Sequence, residues 1–278
     1  MPVTKLDKAL DQARIGLGMV RDGHWRQGLQ FFVQEFGVNS GLRLLGKLPL
    51  APKKVFCNVC GWSGPRFLTH CAVEYADRNA FCPRCLSYPR HRAFAYWLEH
   101  DADLRERVGR EPSRPGLVFA PEPGMMGLLG RHRARLVGLD LERRNGHVEL
   151  MADAVHQPLV DDSLGFVFCF HVLEHIEEDV AALAEIARCL APGACLVLSV
   201  PTCFEVPVTI EYGRAHELLN GHWYAYGLDF DKRIAAAGLV GRSLRATVEL
   251  PPDIRARLAI QDEELWILES APSGASGT

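Results

Sequence analysis

The stretch that decides the fold is FVFCFHVLEHIEEDVAALAEIARCLAPGACLVLSVP, residues 166–201. It opens with a continuous apolar run, Phe166 to Phe170, which is typical of a strand that is covered on both faces. Apolar residues then recur at steps of three and four, namely Ile176, Val180, Leu183, Ile186 and Leu190. This spacing predicts a helix with one apolar face, ended by Ala191-Pro192-Gly193 and followed by a second buried strand over 194–200. A strand, a crossover helix and another strand of these lengths indicate a βαβ unit of a parallel sheet.

Polar side chains crowd the exit of the first of these strands. His171, Glu174 and His175 follow directly after its last aromatic residue. Ligands of open α/β sheets bind beyond the carboxyl ends of the strands, so these three residues are expected to face a site.

Length and composition favour a globular protein of about two domains. The chain has 278 residues, of which 48% are hydrophobic and 23% charged, and domains of ~100–200 residues are common. The first residues, MPVTKLDKALDQAR, lack the apolar core of a signal peptide, and no apolar run approaches the ~18 residues of a membrane span. We therefore expect a cytoplasmic protein with reduced thiols, in which nine cysteines need a reason other than disulfides.

The charge is unevenly distributed along the chain. Residues 1–115 carry a net charge of +7 and residues 116–278 a net charge of −10. The basic half suits nucleic acid, phosphate or anionic lipid, or is an ordinary solvated surface. Residues 1–50 read as helices that pack on the following domain or, with Trp and Phe beside Arg, as a membrane-surface or partner contact. Gly37 and the turn Asn39-Ser40-Gly41 are expected to interrupt them.

Four cysteines form a predicted metal site. Two C-x2-C turns, with 21 residues between them, are the signature of a zinc ribbon, and each turn places two thiolates on one side of a loop. The predicted ligands are Cys57, Cys60, Cys82 and Cys85. All four positions of the tetrahedron are filled, so the zinc is expected to be structural. The alternatives are four unrelated buried cysteines, a redox pair, or His70 or Cys71 in place of one ligand.

The segment after the ribbon, Ser87 to Leu98, predicts a helix with an apolar face. The run Arg90-His91-Arg92 either grips a phosphate or carboxylate, or is the polar start of that helix. Residues 105–115 are expected to form a charged linker. Near the other end of the chain, Leu239 to Leu250 is predicted as one strand.

From these residues the chain is identified as similar to class I S-adenosylmethionine-dependent methyltransferases. The HVLEH step and the LAPGACLVLSVP strand resemble their small-molecule branch (methyltransferase type 11), and CPRCLSYPRHR resembles bacterial methyltransferase-like proteins with a zinc ribbon. The resemblance implies a Rossmann-like, doubly wound α/β sheet of seven strands, the last antiparallel. The expected domains are a helical segment 1–54, a ribbon with linking helix 55–115, the methyltransferase domain 116–270 and a disordered tail 271–278.

The resemblance also implies where S-adenosylmethionine binds. In the family, the first strand ends in an acidic residue and is followed by a glycine-rich loop. In this chain Val118 stands at the position of the acid, and the sequence APEPG replaces most of the glycines. Glu122 is therefore expected to supply the carboxylate for the cofactor's ammonium group. An acid at the tip of the second strand suits a ribose diol, although Asp140 could also cap a helix. Asp153 is expected to lie beside the adenine. The predicted contacts are Ala120, Glu122, Gly124, Asp140, Leu141, Asp153, Ala154, Phe170 and His171.

The insertion 202–227 is expected to roof the acceptor pocket, as this segment commonly does in such folds. His171 is the first candidate for a general base, Glu174 could orient either His171 or His175, and His216 and His222 are candidates from the roof. The expected function is methylation of oxygen or nitrogen on a small polar acceptor such as a sugar or a phenolic metabolite. Two alternatives stay open: an RNA-directed methyltransferase with the ribbon as platform, and a non-catalytic scaffold suggested by the altered first loop.

Overall fold

The computed structural model describes residues 13, 17, 20–21, 25–45, 52–71, 76–110, 113–133, 135–216, 219 and 221–271. The chain divides into two compact units, one of Met1–Ala93 with Leu250–Gln261 and one of Phe94–Glu249 with Asp262–Thr278. The predicted disordered tail, apart from residue 271, and most of the first 24 residues lie outside the described part. The domain limits at 54, 115 and 270 stay a prediction.

The first half of the chain is helical, then β-rich, then helical again. Its elements are α1 (Trp25–Phe32), a π-helical segment (Val33–Asn39), α2 (Ser40–Leu45), β1 (Val55–Phe56), β2 (Ser63–Gly64), β3 (Leu68–Cys71), β4 (Ala76–Phe81), α3 (Pro89–His100) and α4 (Ala102–Gly109).

The second half alternates strands and helices. Its elements are β5 (Gly116–Phe119), α5 (Pro123–Leu129), β6 (Leu136–Asp140), β7 (Leu150–Met151), β8 (Leu164–Phe170), a 3-10 turn (Leu173–His175), α6 (Asp179–Cys189), β9 (Leu190–Ser199), β10 (Ile210–His216), β11 (His222–Ala225), α7 (Phe230–Ala236), β12 (Leu239–Arg245), α8 (Ala246–Glu249), α9 (Pro252–Leu258) and β13 (Glu264–Ser270).

Seven strands form one sheet in the order β12-β13-β9-β8-β5-β6-β7. Neighbours from β7 to β9 pair in parallel, and β13 is antiparallel to both β9 and β12. The sheet is wound outward in both directions from β5, since the chain runs first through β6 and β7 and then through β8 and β9. The predicted doubly wound sheet with an antiparallel last strand is confirmed.

Residues 166–201 fold as the predicted βαβ unit, but the helix and the second strand begin at other residues than predicted. All seven residues of β8 are buried, and α6 buries the predicted residues Leu183 and Ile186 completely. Helix α6 begins at Asp179, so Ile176 lies before it, and it ends ahead of Pro192 as predicted. Strand β9 begins four residues earlier than expected. Leu190 pairs with Leu164 before the register shifts, so residues 191–194 belong to an irregular stretch of strand in place of a turn.

Three local expectations are wrong. Residues 105–109 of the expected linker belong to α4 (Ala102–Gly109), because Asp101 accepts a hydrogen bond from the Leu104 amide at 2.9 Å and one face of the helix is buried. Gly37 does not interrupt the first helical run, which continues to Leu45. Strand β12 ends at Arg245, and residues 246–249 turn into α8.

The side chain of Arg92 holds the first unit together. It is fully buried, and it donates to the carbonyl oxygens of Ser87 at 2.7 Å, Leu258 at 2.6 Å and Ala259 at 3.0 Å. The guanidinium is therefore directed at backbone carbonyls within its own unit. Since Arg90, His91 and Arg92 all lie in the first turn of α3, the interpretation as a polar helix start is confirmed.

We expect Arg92→Met to lower the free energy of unfolding by about 3 kcal/mol or more, because each buried acceptor left without a partner costs about 1–3 kcal/mol. Denaturant unfolding followed by circular dichroism measures the change. Arg78→Met is the matched control, since Arg78 lies in the same unit and is exposed. Equal stability of the two variants would contradict the assignment.

The described part of the N-terminal segment exposes large apolar side chains. Trp25 is 57%, Leu29 58% and Phe36 44% exposed. The predicted partner or membrane-surface contact through residues 1–50 stays a prediction. In the part of the chain that the structure describes, no helix has the length and apolar character needed to cross a bilayer.

Candidate functional site

Two strained residues mark the carboxyl end of the sheet. Ala120 follows β5 with φ 43° and His171 follows β8 with φ 52°, both in the left-handed region that non-glycine residues rarely occupy. Backbone hydrogen bonds hold them, from Ala120 N to Leu139 O at 2.8 Å and from His171 N to Ser199 O at 2.9 Å. Strain of this kind costs about 1–3 kcal/mol and clusters at functional sites. The two strained residues follow the adjacent central strands β5 and β8, at the edge of the sheet where the resemblance places the cofactor.

Asp140 is the last residue of β6 at the same edge. Its side chain is 10% exposed and its Oδ1 lies 3.6 Å from Arg144 Nε, while the Glu142 amide donates to it at 3.4 Å. The segment between β6 and β7 is fully described and contains no helix, so the interpretation of Asp140 as a helix cap is wrong. The next residue, Leu141, is 66% exposed and offers an apolar surface beside the carboxylate.

The loop after β5 starts α5 at Pro123. Glu122 is the N-cap residue of this short helix, and its side chain makes no capping hydrogen bond. Gly124 lies in the first turn of the helix and is half-buried. Both residues keep their predicted place at the tip of β5.

The remaining predicted cofactor contacts differ in how accessible they are. Asp153 is exposed, and its Oδ1 accepts a hydrogen bond from Val155 N at 3.0 Å. Ala154 is 7% exposed and belongs to the main core. Phe170 is 6% exposed, and its ring stacks on Phe168 with centroids 4.0 Å apart. The side chains of Ala154 and Phe170 therefore serve packing, which leaves mainly their backbone for a ligand.

A buried carboxylate lies beside the first candidate base. Glu174 is 1% exposed, and its Oε1 lies 3.5 Å from Nδ1 of His171, whose side chain is 23% exposed. The Nε2 atom of His171 is buried. Glu174 thus lies on the Nδ1 side of the imidazole, and a ligand would meet the imidazole only along its partly exposed edge.

The insertion after β9 forms a hairpin. Strands β10 and β11 pair antiparallel, with His216 opposite His222. The ring of His222 meets that of His175 edge-on, with centroids 4.7 Å apart, and Tyr212 packs on His216 at 4.9 Å. Burial lowers the pKa of His222 to about 4, helped by the charges of His175 and His216. At neutral pH the His222 imidazole is therefore neutral.

Sequence reasoning missed the meeting of Glu174, His175 and His222. Their ligand atoms all lie within 4.8 Å of one another. His222 comes 47 residues after His175 and in another element, so no spacing rule points to the pair. The neighbouring residues Glu174 and His175 were visible as polar residues at a strand exit, and the hairpin supplies the third side chain.

The four predicted zinc ligands come together in the first unit. Sγ of Cys57 lies 3.7 Å from that of Cys85, and Sγ of Cys60 lies 3.7 Å from that of Cys82. Bonds of about 2.3 Å to one tetrahedral Zn²⁺ ion require sulfur atoms roughly 3.8 Å apart, so the geometry fits the ion.

The two C-x2-C turns share one backbone design. Gly61 N donates to Cys57 O at 2.7 Å, and Leu86 N donates to Cys82 O at 2.9 Å. Both donors have positive φ, 76° at Gly61 and 60° at Leu86. Among the described side chains the cluster contains these four cysteines and not His70, whose ring instead packs near Phe81. The side chain of Cys71 lies outside the described part of the structure.

Strand order and the antiparallel last strand define a Rossmann-like, doubly wound fold. Residues 125–198 match the family model described as a methyltransferase domain. This match runs from α5 to the end of β9 and includes Asp140, Asp153 and His171.

Three solved structures illustrate what the chain is similar to. Geranyl diphosphate C-methyltransferase from Streptomyces coelicolor shares 13% identity at TM-score 0.43, covering 64% of this chain and 83% of that one. The 1,6-didemethyltoxoflavin-N1-methyltransferase of Burkholderia thailandensis shares 15% sequence identity at a TM-score of 0.42, and the alignment covers 64% of this chain and 85% of that one. The [4+2]-cyclase SpnF shares 15% sequence identity at a TM-score of 0.41, and the alignment covers 62% of this chain and 82% of that one. No curated protein matches the chain. Likenesses this distant transfer no activity to this protein.

Proposed function

We propose that the protein transfers a methyl group from S-adenosylmethionine to an oxygen or nitrogen atom of a small polar acceptor. The observation that carries the proposal is the match of residues 125–198 to a methyltransferase domain on a sheet of the corresponding strand order. S-Adenosylmethionine supplies a methyl group that already carries a good leaving group. The work left to the protein is binding, alignment and exclusion of water.

The residues at the strand tips suit that cofactor. Asp140 presents a carboxylate with 10% exposure to the hydroxyls of a ribose, and the exposed side chain of Leu141 offers an apolar surface to a purine. Glu122 supplies a carboxylate for the ammonium group, and Asp153 accepts from the exocyclic amine of the adenine. Ala120 and Gly124 line the loop between them through their backbone.

We propose His171 as the base that takes the proton of a hydroxyl acceptor on Nε2; this atom is buried, so the acceptor has to displace the side chains that cover it. Glu174 holds its Nδ1 side at 3.5 Å and stabilises the imidazolium that forms. His216 and His222 lie on the hairpin that faces the 3-10 turn and belong to the acceptor side. His222, with a pKa of about 4, is the weaker base.

Replacement of His171 by asparagine should cut turnover by roughly 100-fold or more, the usual contribution of a general base. Asparagine tolerates the left-handed backbone at this position, so the fold is expected to persist. Steady-state rates with an identified acceptor measure the loss at saturating cofactor, and calorimetry with S-adenosylhomocysteine separates it from any loss of cofactor binding, since His171 is also a predicted cofactor contact. His147→Asn is the matched control. An unchanged rate in His171→Asn eliminates it as the base.

We further propose that Cys57, Cys60, Cys82 and Cys85 bind a structural zinc ion. The sulfur distances of 3.7 Å support this, as do the two matching turns. With four protein ligands no position is open for a substrate, so the ion's role is to stabilise the fold of residues 55–87.

Two measurements test the proposed function. Calorimetry with S-adenosylmethionine should show saturable binding; absence of binding would favour a non-catalytic scaffold. Incubation with methyl-labelled S-adenosylmethionine should place label in the small-molecule fraction of a cell extract and not in its RNA. Label in RNA, lost steeply as salt rises, would support the RNA-directed alternative.

A further inference from the structure

We infer that Glu174, His175 and His222 form a second metal site, for a divalent transition-metal ion such as Zn²⁺, on the acceptor side of the sheet. It extends the proposed function, because it implies that the acceptor reaches the site through an oxygen atom. The inference starts from three ligand atoms, one from each residue, that lie within 4.8 Å of one another.

The donor set is that of a transition metal. Two imidazole nitrogens and one carboxylate oxygen suit Zn²⁺, Co²⁺ or Fe²⁺, whereas Mg²⁺ and Ca²⁺ take oxygen ligands. Ligand atoms around one Zn²⁺ ion, at bonds of about 2.0–2.2 Å, lie roughly 3.4 Å apart. Closing the cluster to that spacing needs a movement of about 1 Å. His175 is exposed, so rotation of its side chain disturbs little packing.

Burial of the carboxylate favours a cation here. Glu174 is 1% exposed, and removing a carboxylate from water is costly unless positive charge lies beside it. His171 gives such a charge only when it is protonated. A divalent ion bound by the cluster would place positive charge directly on the carboxylate. The same carboxylate would then link the ion to His171, as outer hydrogen-bond partners commonly do at metal sites.

The cluster is accessible and well placed. Glu174 and His175 lie in the 3-10 turn directly after β8, at the carboxyl end of the sheet where ligands of this architecture bind. His222 comes from β11 of the hairpin and is partly exposed. Three protein ligands leave at least one position open on an ion, which is the arrangement of sites that bind substrate or water. An acceptor hydroxyl or carbonyl oxygen fits that position.

The test uses the full chain with the ribbon already loaded with zinc, so that further binding reports the second site. Calorimetric titration with Zn²⁺ should show one additional equivalent for wild type. His175→Ala and His222→Ala should each weaken that binding by roughly 100-fold or more, since even outer partners contribute 10–100-fold. His132→Ala, a change at an exposed histidine, should bind as wild type does.

S-Adenosylhomocysteine binding, measured on the same four proteins, distinguishes failure of the metal site from failure of the proposed function. Equal binding in all four shows that the variants are folded. Zinc binding with no S-adenosylhomocysteine binding would contradict the proposed function and leave the metal site standing. No additional zinc equivalent in wild type, or an unchanged dissociation constant in both His175→Ala and His222→Ala, overturns the metal site while the proposed function stands.

Discussion

Replacement of Cys82 by serine is expected to release the zinc ion and unfold the ribbon. A serine hydroxyl does not replace a thiolate ligand, and structural zinc contributes roughly 10–16 kcal/mol of apparent binding free energy that is at the same time folding free energy. We expect metal analysis after dialysis against a chelator to show zinc in wild type and none in Cys82→Ser. Amide hydrogen exchange should show loss of protection across residues 55–87.

Cys203→Ser is the matched control, because Cys203 is exposed and lies outside the four-cysteine cluster. It should keep both the zinc and the protection. Chelator treatment of wild type under denaturing conditions, followed by refolding without zinc, should reproduce the Cys82→Ser pattern. Full zinc retention in Cys82→Ser would refute the assignment of this cysteine as a ligand.

Replacement of Asp140 by alanine is expected to weaken S-adenosylmethionine binding by roughly 100-fold. The carboxylate would lose two hydrogen bonds to the ribose hydroxyls, each of about 1.5 kcal/mol or more, and 1.4 kcal/mol is a factor of ten in the dissociation constant. Asp140→Asn should lie between wild type and alanine, since it keeps one acceptor and loses the charge. Isothermal calorimetry measures all three proteins.

Folding should be little affected by that change, because the nearby Arg144 is 65% exposed and stays solvated without its partner. Asp231→Asn on α7 is the control for loss of a carboxylate, since Asp231 is exposed and away from the strand tips. Binding by Asp140→Ala within twofold of wild type would remove the ribose assignment, and with it the main cofactor contact proposed here.

Local patterns predicted much of this protein. The buried run at 166–170 and the period of three and four after it describe β8 and α6, because strand burial and helical period depend on near neighbours in the chain. The C-x2-C turns likewise predicted a four-cysteine cluster, since each turn is set by five or six consecutive residues. Errors fell at an expected helix break, Gly37, and at the end of a strand, where Ala246 N donates a hydrogen bond to Glu263 O of another segment.

Contacts between distant segments were beyond sequence reasoning. The residues next to Arg92 in the sequence are compatible with anion binding. The structure shows instead that its guanidinium donates hydrogen bonds to the carbonyl oxygens of Leu258 and Ala259, more than 160 residues away. The same holds for Ala154 and Phe170, which the resemblance assigned to the cofactor and whose side chains pack in the interior.

The amino-acid sequence by itself determined the βαβ unit at 166–201 and the two cysteine turns, since each depends on residues close together in the chain, whereas the seven-stranded sheet was predicted from the resemblance. Only the tertiary structure decided that His222 meets Glu174 and His175. That contact exists because a hairpin folds back over the 3-10 turn, and its formation depends on packing between elements that no local pattern records.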